Sequence, residues 1–243
     1  MKRQASISIG TVLLLFGLTG CPDATSTSPV TARASDAALR LQQAGDVKLT
    51  LHPSGFGRRS YAAWKAQEGR PDSEGTANTA LYFQKMVPTP TVAAGLAVIQ
   101  GVAGLPASAI TGLSWEHRID GHCGAGAPRW NLGVTAPNGQ RFTVFLGCAA
   151  AAHTPAGTDD AGRAWIRDSY PGVGTGGVVV GSPADFILAQ TGFEASDLTV
   201  RSLIIVFDEG NDLGFPGYVH LDNITVSVDG TPHVFTGPMD NRR

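Results

Sequence analysis

From Val47 onward the chain is a series of short runs in which apolar and polar residues alternate, separated by Gly, Pro, Asn and Asp. A period of two marks a strand with one buried face, and no long stretch carries the 3.6-residue apolar period of a helix. The runs predicted as strands are 47–52, 80–87, 96–102, 110–118, 129–135, 140–147, 164–167, 177–180, 198–207 and 217–228, with a last short one at 233–236. Many short strands spaced by turn residues predict an all-β chain folded as a jelly-roll-like antiparallel β-sandwich.

The clearest unit is the hairpin around Ala136-Pro137-Asn138-Gly139, where Asn-Gly supplies residues that tolerate positive φ. Trp130, Leu132 and Val134 share one face of its first arm, with Arg129, Asn131 and Gly133 on the other. In the second arm Phe142, Val144 and Leu146 alternate with Arg141, Thr143 and Phe145. One face is therefore core and the other faces water or a ligand. Near the start, Ser35-Asp36 ahead of 37–44 and Gly45 after it mark a short capped helix.

The N-terminus has a different grammar. Lys2 and Arg3 precede an uncharged apolar run from Ile7 to Leu18, and no acid occurs before Asp23. This is the layout of a signal peptide, and the run is shorter than the roughly 20 apolar residues that cross a bilayer. It ends in Leu18-Thr19-Gly20-Cys21, which resembles the lipobox of bacterial lipoproteins. The resemblance implies cleavage before Cys21, a lipid on its thiol, and an exported protein anchored to a membrane of the bacterial cell envelope. Residues 1–21 are then the signal peptide, 22–46 a Pro-, Ser- and Thr-rich tether holding the short helix, and 47–243 the sandwich.

Removing that leader leaves 16 Lys and Arg against 20 Asp and Glu, a formal charge of −4, which offers nothing to a nucleic acid. With Cys21 assigned to lipid, Cys123 and Cys148 remain as a pair in an oxidising compartment, and a disulfide between them is expected. Closing a loop of that size restricts the unfolded chain by about 3 kcal/mol.

A second resemblance rests on residues 198–226. A strand at 198–207 is followed by the acidic loop Asp208-Glu209-Gly210-Asn211-Asp212, and then by Tyr218-Val219-His220-Leu221-Asp222-Asn223-Ile224-Thr225-Val226. The last run resembles the closing strand of galactose-binding-like and carbohydrate-binding-module domains, and Ala80-Leu81-Tyr82-Phe83 resembles their early strand. The resemblance implies the jelly-roll fold and a structural calcium with Asp222 as a ligand. Asp208 and Asp212 are near enough in a hairpin to add oxygens, as a hard cation with six to eight ligands requires.

Other chemistry has weaker support. Gly172-Val173-Gly174-Thr175-Gly176-Gly177 fits G-x-G-x-x-G, but it leads into a strand rather than a helix and reads as a loop. His117 and His122 lie beside Glu116 and Cys123, yet the spacing matches no usual zinc motif, and an oxidised Cys123 cannot ligate. No G-x-S-x-G elbow is present. Glu116, Asp168 and Asp208 are the carboxylates available to a glycosidase, whose activity depends on a separation that spacing does not give.

Sugar binding needs an exposed aromatic face and planar polar groups on a rigid sheet. Trp115 and Trp130 are in phase with Leu113 and Leu132 and read as core, whereas Trp165 is in phase with Arg163 and Arg167 and is expected to face outward. Arg129, Asn131, Arg141 and Phe145 lie off the core phase, as Glu116 does on its strand, and together they are expected to line one concave sheet. These residues favour a non-catalytic module that binds carbohydrate. A structural or protein-interaction module of the envelope is the alternative, and a glycoside hydrolase comes third.

Overall fold

The computed structural model describes residues 47–71, 78–124, 126–212 and 214–238. Cys21, the signal peptide, the tether and the helix expected at 37–44 lie outside the described residues. Among the described residues no helix is long and apolar enough to cross a membrane.

Two antiparallel sheets carry the fold. The first is ordered β1 (Thr50–Phe56), β4 (Ala94–Gln100), β12 (Thr199–Phe207), β6 (Arg129–Thr135) and β7 (Arg141–Gly147). The second is ordered β2 (Ser60–Lys65), β3 (Ala80–Lys85), β13 (Tyr218–Val228), β5 (Ile110–Arg118), β9 (Ala164–Tyr170) and β8 (Ala152–Thr158), with β14 (Thr231–Phe235) also paired to β13. Among the described residues, a two-stranded ribbon, β10 (Gly172–Val173) with β11 (Val179–Val180), one α-helix, α1 (Pro183–Thr191), and three single 3-10 turns at Ala107–Ala109, Cys148–Ala150 and Ala195–Asp197 complete the set. The jelly-roll-like antiparallel sandwich read from the alternation is thus the fold of the described residues.

The inward phase of each strand makes the core. Leu203, Ile205 and Phe207 of β12 lie in it with Leu132 and Trp130 of β6, Leu113 and Trp115 of β5, and Val219 and Leu221 of β13. Trp115 and Trp130 stack with ring centroids 5.0 Å apart, as two tryptophans in core phase on facing sheets should. Trp130 keeps a buried indole N–H without a partner.

The β6–β7 hairpin forms in the expected register, Trp130 opposite Leu146 and Leu132 opposite Val144. Its turn differs in one detail, since only Gly139, at φ 82°, has a positive angle. Asn138 contributes through its side chain instead, its Oδ1 accepting the Gln140 N–H at 2.9 Å. Four elements were not anticipated. Strands β2 and β8 are edge strands, and β8 carries Pro155 and a bulge before Gly157, which break its pattern. The glycine-rich stretch, read as a loop, begins with the short strand β10 and then turns into β11, which lies within the run predicted at 177–180. Helix α1 begins with a capping box between Ser182 and Asp185, has Pro183 in its first turn, and ends at Gly192 in the left-handed region. Its Gln190 amide donates to the Phe145 carbonyl and accepts the Phe145 N–H at 2.8 and 2.9 Å, closing the exposed edge of β7.

Candidate functional site

The predicted ligand-binding residues separate onto two sheets. Strands β6 and β7 place Arg129, Asn131 and Phe145 together on the outer face of the first sheet. Arg129 Nε donates to Asn131 Oδ1 at 3.0 Å, and the guanidinium lies 5.6 Å from the Phe145 ring centroid. Its two terminal nitrogens donate to the two oxygens of Asp208 at 2.6 and 2.7 Å, a bidentate ion pair. Phe145 is 49% exposed. Arg141 is exposed at the far end of the hairpin, opposite Thr135. A groove of about 430 Å³ beside this cluster is bounded by Phe56, Val92, Leu96, Ile204 and Asn131.

Glu116 corrects the expectation of one shared face, because β5 belongs to the second sheet. It is only 3% exposed and holds three partners. Arg167 donates to Oε1 from its Nη2 at 2.7 Å, Asn223 Nδ2 to Oε2 at 2.9 Å, and Arg70 lies 3.4 Å from Oε2.

Trp165 is a second correction. Its phase with Arg167 is as read, but it is 1% exposed, and its indole N–H donates to Asp159 Oδ2 at 3.1 Å. The chain at 67–70 crosses this part of the outer face and is tied down at each step. Arg163 donates to the Gln67 carbonyl, Arg118 and Arg163 to Glu68, and the Arg70 N–H to Asp222 Oδ2 at 2.7 Å. Strand phase reports the side of a sheet, and a crossing segment then decides exposure.

The three carboxylates proposed for calcium are not brought together. Asp208 is committed to Arg129, and Asp212 accepts the Thr89 N–H and hydroxyl, each at 2.7 Å. Asp222 is fully buried, accepting backbone N–H groups of Arg70 and Asn223. Beside the acidic loop stands Lys85, 1% exposed, donating to the carbonyls of Thr89, Thr91 and Asp208 at 2.8, 2.8 and 2.7 Å. Burial lowers its pKa, against the pull of Asp208 and Asp212. An ammonium in a cage of carbonyls, with an arginine on the neighbouring carboxylate, already supplies the positive charge that a bound cation would bring. The residues present do not fit a calcium ion bound by these three carboxylates.

Where the crossing segment stops, the outer face of the second sheet opens onto aromatic residues. Outward positions of β2, β3 and β13 carry Tyr61, Tyr82, Tyr218 and His220. The Tyr82 ring centroid lies 6.0 Å from Tyr61, 6.0 Å from Tyr218 and 4.8 Å from His220. All three tyrosines are half-buried, so each ring has both a packed side and an open one. The exposed Lys65 sets its ammonium 5.6 Å from the Tyr82 centroid and 6.0 Å from that of Tyr61. The Tyr82 hydroxyl donates to Gln84 Oε1 at 3.2 Å. Burial and the two neighbouring tyrosines raise its pKa, so it stays a neutral donor.

Glu68 borders this patch. Burial pushes its carboxyl up, but the guanidinium groups of Arg118 and Arg163 outweigh burial and hold it below its ordinary value. His220 lies beneath, 6% exposed, with a buried Nδ1 that has no partner and Nε2 3.9 Å from Glu68. Burial first and Arg118 second push its pKa down to about 4, against Glu68 and Asp120. The unfolded state therefore takes up a proton near pH 6.5 that the folded state refuses until about pH 4. Stability should fall by about 3 kcal/mol across that window. Denaturant midpoints at pH 7 and pH 4 in wild type and His220→Phe check this, and an equal acid loss in both would refute it.

The platform escaped the sequence reading because it is assembled from three strands, one of them unanticipated, each contributing an unremarkable tyrosine. The Ala80-Leu81-Tyr82-Phe83 run was the one available signal. A second buried cluster lies between the sheets at the disulfide, where Asp168, fully buried, accepts from Trp115 Nε1 and His117 Nδ1 at 2.6 Å each, and from His153 Nδ1 at 2.7 Å. Asp168 is therefore unlike the exposed acid a glycosidase would present. Cys123 and Cys148 form the expected disulfide.

No protein-family model, curated protein or solved structure matches this chain.

Proposed function

We propose that this protein is a non-catalytic carbohydrate-binding module that recognises glycans on the tyrosine platform of its second sheet. The observation that carries the reading is the clustering of Tyr61, Tyr82 and Tyr218 around one centre on a rigid β surface. Tyrosine faces stack on the C–H faces of pyranose rings, while Gln84, Lys65 and the phenol groups offer hydrogen bonds to hydroxyls. The outer face of the first sheet carries two exposed rings, but Phe56 and Phe145 stand on its opposite edge strands rather than around one centre, and its arginine is already saturated by Asp208, so it is the weaker candidate.

The test is retention of the purified chain on immobilised polysaccharides and a glycan array. Tyr82→Ala and Tyr218→Ala should each weaken binding about tenfold, the effect of one lost aromatic stack, while Phe145→Ala leaves it unchanged. Binding that survives both tyrosine variants, or no binding by wild type, would overturn the proposal.

An envelope-interaction module is the second reading, favoured by the β10–β11 ribbon, where Val173, Val178 and Val179 are 60, 63 and 78% exposed. Under either reading we propose lipid anchoring at Cys21 in the bacterial cell envelope, on the strength of the lipobox-like run. Cys21→Ala should move the protein from the membrane fraction to the soluble fraction, and its persistence in membranes would refute the anchor.

A further inference from the structure

Cys123, Cys148, His117 and Asp168 each offer one ligand atom, and these four atoms lie within 4.8 Å of one another. Cys148 Sγ is 3.9 Å from His117 Nδ1 and 3.4 Å from Asp168 Oδ2. We propose that the Cys123–Cys148 disulfide masks a redox-gated metal site, in which the two thiolates, His117 Nδ1 and an Asp168 oxygen bind a zinc-like divalent cation once the bond is reduced.

Zinc binds thiolate at about 2.3 Å and imidazole or carboxylate at about 2.0–2.2 Å in a tetrahedron, so its donors stand about 3.3–3.8 Å from one another. Two contacts around Cys148 are already close to that spacing. The sulfurs must separate, which breaking their bond permits, and Nδ1 and Oδ2, now 2.6 Å apart, must widen slightly. Two thiolates and an imidazole select a borderline-soft ion over calcium. Trp115 Nε1 on one Asp168 oxygen and His153 Nδ1 on the other hold the carboxylate as outer partners, the arrangement that orients metal ligands. The partly exposed His153 marks the side from which solvent reaches the cluster.

Metal and reduction are coupled by charge. Opening the disulfide alone places thiols against a buried carboxylate, which opposes their ionisation. A dication reverses that repulsion, so it favours the reduced chain. A dithiol carrier supplies the electrons: two electrons and two protons pass to the disulfide, its S–S bond breaks to Cys123–SH and Cys148–SH, and the carrier leaves as its own disulfide. The cation then takes both sulfurs and two protons go to solvent. His117 moves its ring proton from Nδ1 to Nε2 and ligates through the freed lone pair.

The experiment uses the full chain carrying Cys21→Ser, so that only two thiols respond. The protein is reduced with dithiothreitol, freed of it without oxygen, and titrated with cobalt(II) as a spectroscopic stand-in for zinc. Reduced protein should give a one-to-one tetrahedral spectrum with thiolate charge-transfer bands, and oxidised protein none. His117→Ala and Asp168→Asn should weaken cobalt binding at least about tenfold. A redox titration of the unsubstituted cluster, independent of whether those variants fold, should show the disulfide midpoint rising about 30 mV per tenfold increase in zinc above its dissociation constant. A midpoint indifferent to zinc, or a cobalt spectrum unchanged in folded His117 and Asp168 variants, would overturn the proposal.

Discussion

Asp168→Ala should cost about 3–5 kcal/mol and lower the melting temperature by roughly 10 °C, among the largest effects of any single substitution in the described domain. The carboxylate is 1% exposed and accepts from an indole and two imidazoles, all within 2.7 Å. Removing it strands two buried donors, Trp115 Nε1 and His117 Nδ1, while the partly exposed His153 still reaches water, and a buried polar group left without a partner costs more than the bond itself contributed. The hydrogen bond to Asp168 raises the pKa of His153, ahead of an opposing effect of burial. A raised folded-state pKa gives stability that is complete below the unfolded value and lost as pH rises through the folded one. The wild type should therefore lose a small increment above pH 6.5 that Asp168→Ala does not. Chemical denaturation across pH 5–9 measures both effects, and a loss under about 1 kcal/mol would show that the cluster contributes little.

Reducing or deleting the disulfide should have an effect of similar size. Cys123 and Cys148 are 25 residues apart, and a cross-link over such a loop restricts the unfolded chain by about 3–3.5 kcal/mol. The double variant Cys123→Ala/Cys148→Ala should unfold at correspondingly lower denaturant with an increased m value, because its unfolded state is less constrained. Cys148 is fully buried beside Asp168 and packs in the core. If the double variant matches wild type under oxidising conditions, the cross-link is not stabilising.

Much of the architecture was legible because it is local. Period-two alternation placed β5, β6, β12 and β13 nearly to the residue, and the core phases of Trp115, Trp130 and Leu132 held. In β6 and β12 burial follows largely from which side of the pleat a side chain takes, whereas in β5 and β13 outer-face residues such as Glu116 and Asp222 are buried as well. The pairing of Cys123 with Cys148 was also legible, since the β6–β7 hairpin brings its two ends to one level. Helix α1 was not predicted, although its capping box stands in Ser182-Pro183-Ala184-Asp185.

The amino-acid sequence by itself therefore determined most of the strands, their inward faces, the central hairpin and the disulfide, because each depends on short-range periodicity or on closure of one loop. Tertiary structure alone decided which sheet each strand joined, and with it the separation of Glu116 from Arg129, Asn131 and Phe145. It also decided that the chain at 67–70 covers the face carrying Trp165 while Tyr61, Tyr82 and Tyr218 meet in the open. Residues from β2, β3 and β13 become neighbours only when strands more than a hundred positions apart pair, and no periodicity along a chain encodes that proximity.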